Sequence, residues 1–111
     1  MVCDLTYLKE LSNGKVEFEK EMIQMFLEEI PGEILNLEHG IKAKDYETVK
    51  LTTHKLKSTL PFVGLNFIVG KEVLEMEALA KSQSGLEKIE VLFLTVKEMC
   101  EKAFEELKVM R

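Results

Sequence analysis

His54 is flanked, one helical turn to either side, by residues that suit a nucleophilic imidazole. In a helix, Lys50 and Leu51 stand one turn before it and Lys57 and Ser58 one turn after, followed by Pro61 and Phe62. An ordinary imidazole, with a reference pKa of about 6.5, is largely neutral at pH 7 and can attack an electrophile. A phosphoryl group on a ring nitrogen would bring negative charge, which a lysine one turn away offsets. Ser58 is small enough to let a partner's active site approach. Leu51 and Phe62 would place apolar surface around the polar centre, as docking patches do. Each feature alone has a plainer meaning: lysines on a helix are usually a solvated face, and single exposed apolar residues are common.

The elements that must hold His54 follow from apolar spacing, which is helical almost throughout. A short first helix is expected over Asp4 to Leu11, with Asp4 as N-cap, stopped by Ser12-Asn13-Gly14. A long helix follows from about Val16 to Ala43, with Ile23, Phe26, Leu27, Ile30, Ile34, Leu37 and Ile41 on one stripe. Pro31 lies inside it; the stripe keeps its register across the proline, which favours a kink over two separate helices. The third runs from Tyr46, capped by Asp45, to about Val63, with Tyr46, Val49, Thr53, Leu56, Leu60 and Val63 inward. His54 then lies roughly 135° from the centre of that stripe and faces outward. Gly64 breaks the chain, Asn66 is a candidate cap, and a fourth helix carries Leu65, Val69, Met76, Leu79 and Ala80 to about Lys81. After Ser82-Gln83-Ser84-Gly85 the last helix spans about Leu86 to Val109, with Ile89, Leu92, Val96, Met99, Ala103 and Leu107 inward. The expectation is an all-α fold: an antiparallel four-helix bundle with a short N-terminal helix, one domain over residues 1–111.

Composition bounds the function. The 111 residues are 46% hydrophobic and 32% charged, as suits a folded domain with one core. A formal charge of -5 argues against non-specific binding to nucleic acid or anionic lipid. Cys3 and Cys100 lack metal-ligand spacing, and Met1-Val2-Cys3-Asp4 does not open a signal peptide, so reduced thiols and a cytoplasmic location are expected. The uncharged run Leu60 to Gly70 falls well short of the roughly 20 residues that span a bilayer.

Thr53-His54-Lys55-Leu56-Lys57-Ser58, followed by Val63-Gly64-Leu65, resembles the signature of histidine phosphotransfer (HPt) domains. That signature has a Lys three residues after the His, a small residue four after, and a Gly ten after. His54, Lys57, Ser58 and Gly64 fill all four places, and the helix order fits along nearly the whole chain. The resemblance implies a carrier that takes a phosphoryl group from a receiver-domain aspartate and passes it to another receiver. It implies no ATP site, no catalysis of hydrolysis and no cofactor of its own, with Mg²⁺ on the partner receiver. By position His54 would be the acceptor and Lys57 the neutralising cation, with Lys50 a second candidate. Leu51, Ser58, Pro61 and Phe62 would meet the partner, and Gly64 would be structural. The partners would be response-regulator receiver domains or a hybrid sensor kinase, with no nucleic acid and no membrane, and the chain a monomer.

Three positions depart from the family pattern. Ser58 replaces the commoner glycine. Pro61 falls in the third helix, where a distorted last turn is expected before Gly64. Many members place a Gln or Glu on the next helix to orient the imidazole; straight counting reaches Met76, between Glu75 and Glu77. Either a one-residue shift brings in a glutamate, or water or backbone orients the ring.

Other classes fit less well. No Gly-rich ATP motif is present. Bundle metal sites use Glu-x-x-His, whereas Asn36 and Leu51 stand three residues before the two histidines. Met22, Met25, Met76 and Met99 read as packing, and His39 as a helix-end residue. A heptad seam is broken by Pro31, Gly64 and Gly85. The rival is a docking module of the same fold that is never phosphorylated. Such modules usually lose the His or the Lys, and both remain here.

Overall fold

The computed structural model of the chain describes residues 1–110. Five helices follow in order: α1 Thr6–Ser12, α2 Val16–Lys42, α3 Tyr46–Thr59, α4 Asn66–Lys81 and α5 Leu86–Met110, with a 3-10 turn at Leu60–Val63 between α3 and α4. No strand occurs among the described residues. The long helices form a ring: α3 packs between α2 and α4, and α5 closes it against both α4 and α2. Three- and four-residue connections join α2 to α3 and α4 to α5, so those neighbours run antiparallel. The short α1 lies across one end, against α2 and the 3-10 turn.

The core is one apolar cluster. It includes Phe26, Ile30 and Leu37 of α2, Val49 and Leu56 of α3, Val73 and Met76 of α4, and Ile89, Val96 and Leu107 of α5. α2 continues through Pro31, whose ring is exposed, so the missing amide faces the solvent side and the buried stripe stays in phase. In α5 the seam lies slightly off the expected line: Phe93 and Cys100 are buried, while Leu92 and Met99 are only partly so.

Two expected caps change. α1 begins at Thr6, not Asp4; the Asp4 carboxylate still accepts from the Thr6 amide at 3.0 Å and its hydroxyl at 2.6 Å. Asn66 is the first residue of α4 rather than its cap, because the chain has already turned at Gly64 and the first amides of α4 bond the carbonyls of Gly64 and Leu65. Asp45 does cap α3, accepting from the Thr48 amide at 3.1 Å.

The end of α3 distorts as Pro61 requires. The regular helix stops at Thr59, and Pro61 sits early in the 3-10 turn, where its missing donor costs little. Gly64 then takes φ +78°, and a Cβ there would lie 2.6 Å from the Asp4 carbonyl oxygen. The Asp4 amide donates to the Val63 carbonyl at 2.9 Å, so the N-terminal segment is fastened to the 3-10 turn that follows the His54 helix. The Glu106 carboxylate holds the same segment through the amides of Val2 (2.7 Å) and Cys3 (3.0 Å).

Candidate functional site

α3 turns Val49, Thr52, Thr53 and Leu56 inward, which leaves His54 on the outer face with its side chain 64% exposed. Thr53, buried beside it, satisfies its hydroxyl within the helix on the carbonyls of Val49 (2.8 Å) and Lys50 (3.0 Å).

The imidazole is oriented by Glu77 of α4, whose Oε2 lies 3.0 Å from His54 Nδ1. The other oxygen, Oε1, accepts from Lys57 Nζ, also at 3.0 Å. Glu77 is buried, with a side chain only 6% exposed. Burial pushes its carboxyl pKa up; the hydrogen bonds from Lys57 and His54 and the charges of Lys57 and Lys81 outweigh that, and the net shift is downward. Glu77 is therefore a carboxylate at neutral pH and can only accept. The proton of a neutral imidazole is thus held on Nδ1, and the lone pair lies on Nε2. Since Nδ1 is engaged by Glu77, Nε2 is the nitrogen left for attack on an outside group.

The remaining sequence-derived residues fall into three places. Lys57 joins His54 through Glu77, whereas Lys50 reaches back to Glu47 at 3.0 Å and makes no contact with the imidazole. Ser58 is exposed and shares a surface depression with His54, Lys55 and Thr59 of α3 and with Glu29, Ile30 and Glu33 of α2. Leu51, 53% exposed, lines the continuation of that depression toward Asn36 and His39. Pro61 and Phe62 are half-buried; the Phe62 ring is tilted against Tyr7 of α1, with centroids 5.9 Å apart. Gly64 is structural, through Asp4.

Of the three candidates around the expected orienting position, Met76 is wholly buried in the core and Glu75 pairs with Lys88 of α5. Only Glu77 faces α3. Sequence reasoning did not single out Tyr7, Leu11 and Phe18, exposed apolar residues of α1 and α2. The described residues contain no group of three or more His, Cys, Asp and Glu able to hold a metal ion. Among the described residues, no helix is long and apolar enough to cross a membrane.

A family model described as Hpt domain matches residues 21–106. In fold, the chain is similar to the crystal structure of the HPT domain from the Hpt sensor hybrid histidine kinase from Shewanella. The TM-score is 0.82, with 21% identity over 98% of this chain and 92% of that one. No curated protein matches the chain.

Proposed function

The chain belongs to the Hpt domain family, and from that premise we propose that it is a phosphorelay intermediate accepting a phosphoryl group on His54 and passing it between receiver domains. The observation that carries the proposal is the Glu77 carboxylate bound to His54 Nδ1, which leaves Nε2 exposed and unprotonated in the neutral ring.

The Nε2 lone pair attacks phosphorus of a receiver's aspartyl phosphate in line, the phosphorus–oxygen bond to the aspartyl carbonyl group breaks, and the aspartate leaves as a carboxylate. The ring gains positive charge, which the Glu77 carboxylate on the Nδ1–H stabilises. The Lys57 ammonium, one turn from His54, offsets the charge of the new phosphoryl group. The reverse reaction returns the group to another receiver. His54, Lys57 and Glu77 are the groups this chain supplies; the divalent cation belongs to the receiver. The Hpt family places the chain in two-component signalling, and receiver domains as its partners follow from that membership.

Docking would use the apolar surface around Ser58: Leu51 on one side, and Pro61, Phe62 and Tyr7 at the end of the bundle. A phosphotransfer assay with purified phosphorylated receivers, run beside the His54→Gln variant, tests the proposal.

A further inference from the structure

Two groups compete for the Lys57 ammonium. In this structure its Nζ is held by Glu77 Oε1 at 3.0 Å, on the Nδ1 side of the imidazole. A phosphoryl group would be built on Nε2, whose outward bond points away from Glu77. An ammonium has three donors but one position. Lys57 therefore leaves Oε1 when it meets phosphoryl oxygens at Nε2.

That departure strips a buried group. The Glu77 side chain is only 6% exposed, and among the described residues Oε1 accepts from Lys57 alone. A buried carboxylate that loses its charged donor is destabilised more than an exposed one, because water does not replace what is lost. Unless another cation takes the vacated place, Glu77 holds Lys57 back from the phosphoryl group.

One lysine stands where it can take that place. Lys81 follows Glu77 by four residues on α4, and glutamate before lysine is the favourable order at that spacing. At about 100° per residue the two lie roughly 40° apart around the helix. Lys81 is exposed and forms no ion pair among the described residues. Its charge already reaches the carboxyl: burial pushes the Glu77 pKa up, and Lys81 is among the groups, with Lys57 and His54, that more than offset this. Lys50, the lysine one turn before His54, is held by Glu47 at 3.0 Å instead.

We infer that Lys81 is a positioning residue for phosphotransfer: it takes over Glu77 when Lys57 turns to the phosphoryl group on His54. The inference rests on the phosphorelay reading and adds a second state of the same site. In the free chain Lys57 neutralises Glu77 and Lys81 stays in solvent. In the phosphorylated chain Lys81 closes on Oε1, Oε2 keeps Nδ1–H and so the ring, and Lys57 faces the phosphoryl oxygens. The orienting carboxylate keeps one ammonium in both states.

The test compares the whole chain as wild type, Lys81→Gln, Lys81→Arg, Lys57→Ala and Lys57→Ala/Lys81→Gln. Each is labelled on His54 with phosphoramidate, a small donor that needs no docking, or with a purified phosphorylated receiver. The readouts are the rate of labelling, the lifetime of phosphohistidine after the donor is removed, and nitrogen NMR of the His54 ring in the unlabelled chain. Circular dichroism checks the fold. Lys81→Gln should slow labelling or shorten the lifetime, whichever Lys57→Ala changes, by about 3-fold, less than the roughly 10-fold of Lys57→Ala. Lys81→Arg should restore it. The ring spectrum of unlabelled Lys81→Gln should match the wild type, since Lys57 still holds Glu77. With Lys57 gone Lys81 has nothing to release, so the double variant should behave as Lys57→Ala does. Wild-type values in Lys81→Gln, no rescue by Lys81→Arg, a changed ring spectrum in unlabelled Lys81→Gln, or two effects that multiply in the double variant overturn the inference and leave His54 as acceptor. No label on wild-type His54 from any donor removes the phosphorelay reading and the inference with it.

Discussion

Nδ1 of His54 and Oε2 of Glu77 stand 3.0 Å apart although the residues are 23 positions apart in sequence and on different helices. The same carboxylate holds Lys57, so acceptor, cation and orienting group form one hydrogen-bonded unit across the α3–α4 seam.

Glu77→Gln keeps the size of the side chain but not its charge. Its amide oxygen can still accept from Nδ1–H, but its NH₂ group then faces the Lys57 ammonium, donor against donor. Hydrogen bonds to charged groups contribute about 1.5–3 kcal/mol, so phosphotransfer should slow by roughly 10- to 100-fold. Nitrogen NMR of the His54 ring should also show the Nδ1–H tautomer losing population. A variant with wild-type transfer and an unchanged ring spectrum would remove Glu77 from the mechanism.

Lys57→Ala should slow transfer to His54 or shorten the lifetime of phosphohistidine, by roughly 10-fold if one charge-assisted contact is lost. Single-turnover transfer and decay of the isolated phosphorylated chain measure the two effects separately. If neither changes, the charge of the phosphoryl group is offset by other means.

The site also links stability to acid. The Glu77 carboxyl is held below its ordinary range, and so are those of Glu106 and Asp45. Groups with a depressed folded pKa contribute stability that is complete above the unfolded value, about 4 for carboxyls, and is lost as pH falls through the folded value. Urea denaturation should therefore show stability declining below about pH 5, and the slope should flatten in Glu77→Gln. An equal slope in the variant would mean that Glu77 is not part of that titration.

Gly64→Ala combines a left-handed φ of +78° with a Cβ directed at the Asp4 backbone. It should destabilise the fold by more than the ~1 kcal/mol of backbone strain alone. In a chain lacking residues 1–4 the clash is gone, and the same substitution should cost only the backbone part. Equal costs in the two chains, by urea titration, would show that Asp4 does not press on Gly64.

His54, Lys57, Ser58 and Gly64 could be read from sequence because their relations are local: helical phase puts His54 outward, and a spacing of three puts Lys57 on its face. The orienting group could not, since it depends on the phase of α4 relative to α3. That phase is set by the 3-10 turn at Leu60–Val63 and the left-handed Gly64 between them, which regular helical counting does not represent. Glu77 comes to face α3 where counting reached Met76. The same turn put Leu65, not Asn66, ahead of α4. The contact of Asp4 with Gly64 is a matter of long-range packing that no local pattern encodes, whereas the pairing of Lys50 with Glu47 is a local i,i+3 relation that competes with any role of Lys50 at His54.

Phosphoryl transfer to His54 is the central claim and is measured directly. The chain is mixed with purified phosphorylated receiver domains, with His54→Gln in parallel. Acid-labile, base-stable label is expected on the wild type and none on the variant, with the helical circular dichroism of both unchanged. Label retained by His54→Gln would contradict the assignment of the acceptor, and binding of receivers without any label on the wild type would identify a docking module that carries no phosphoryl group.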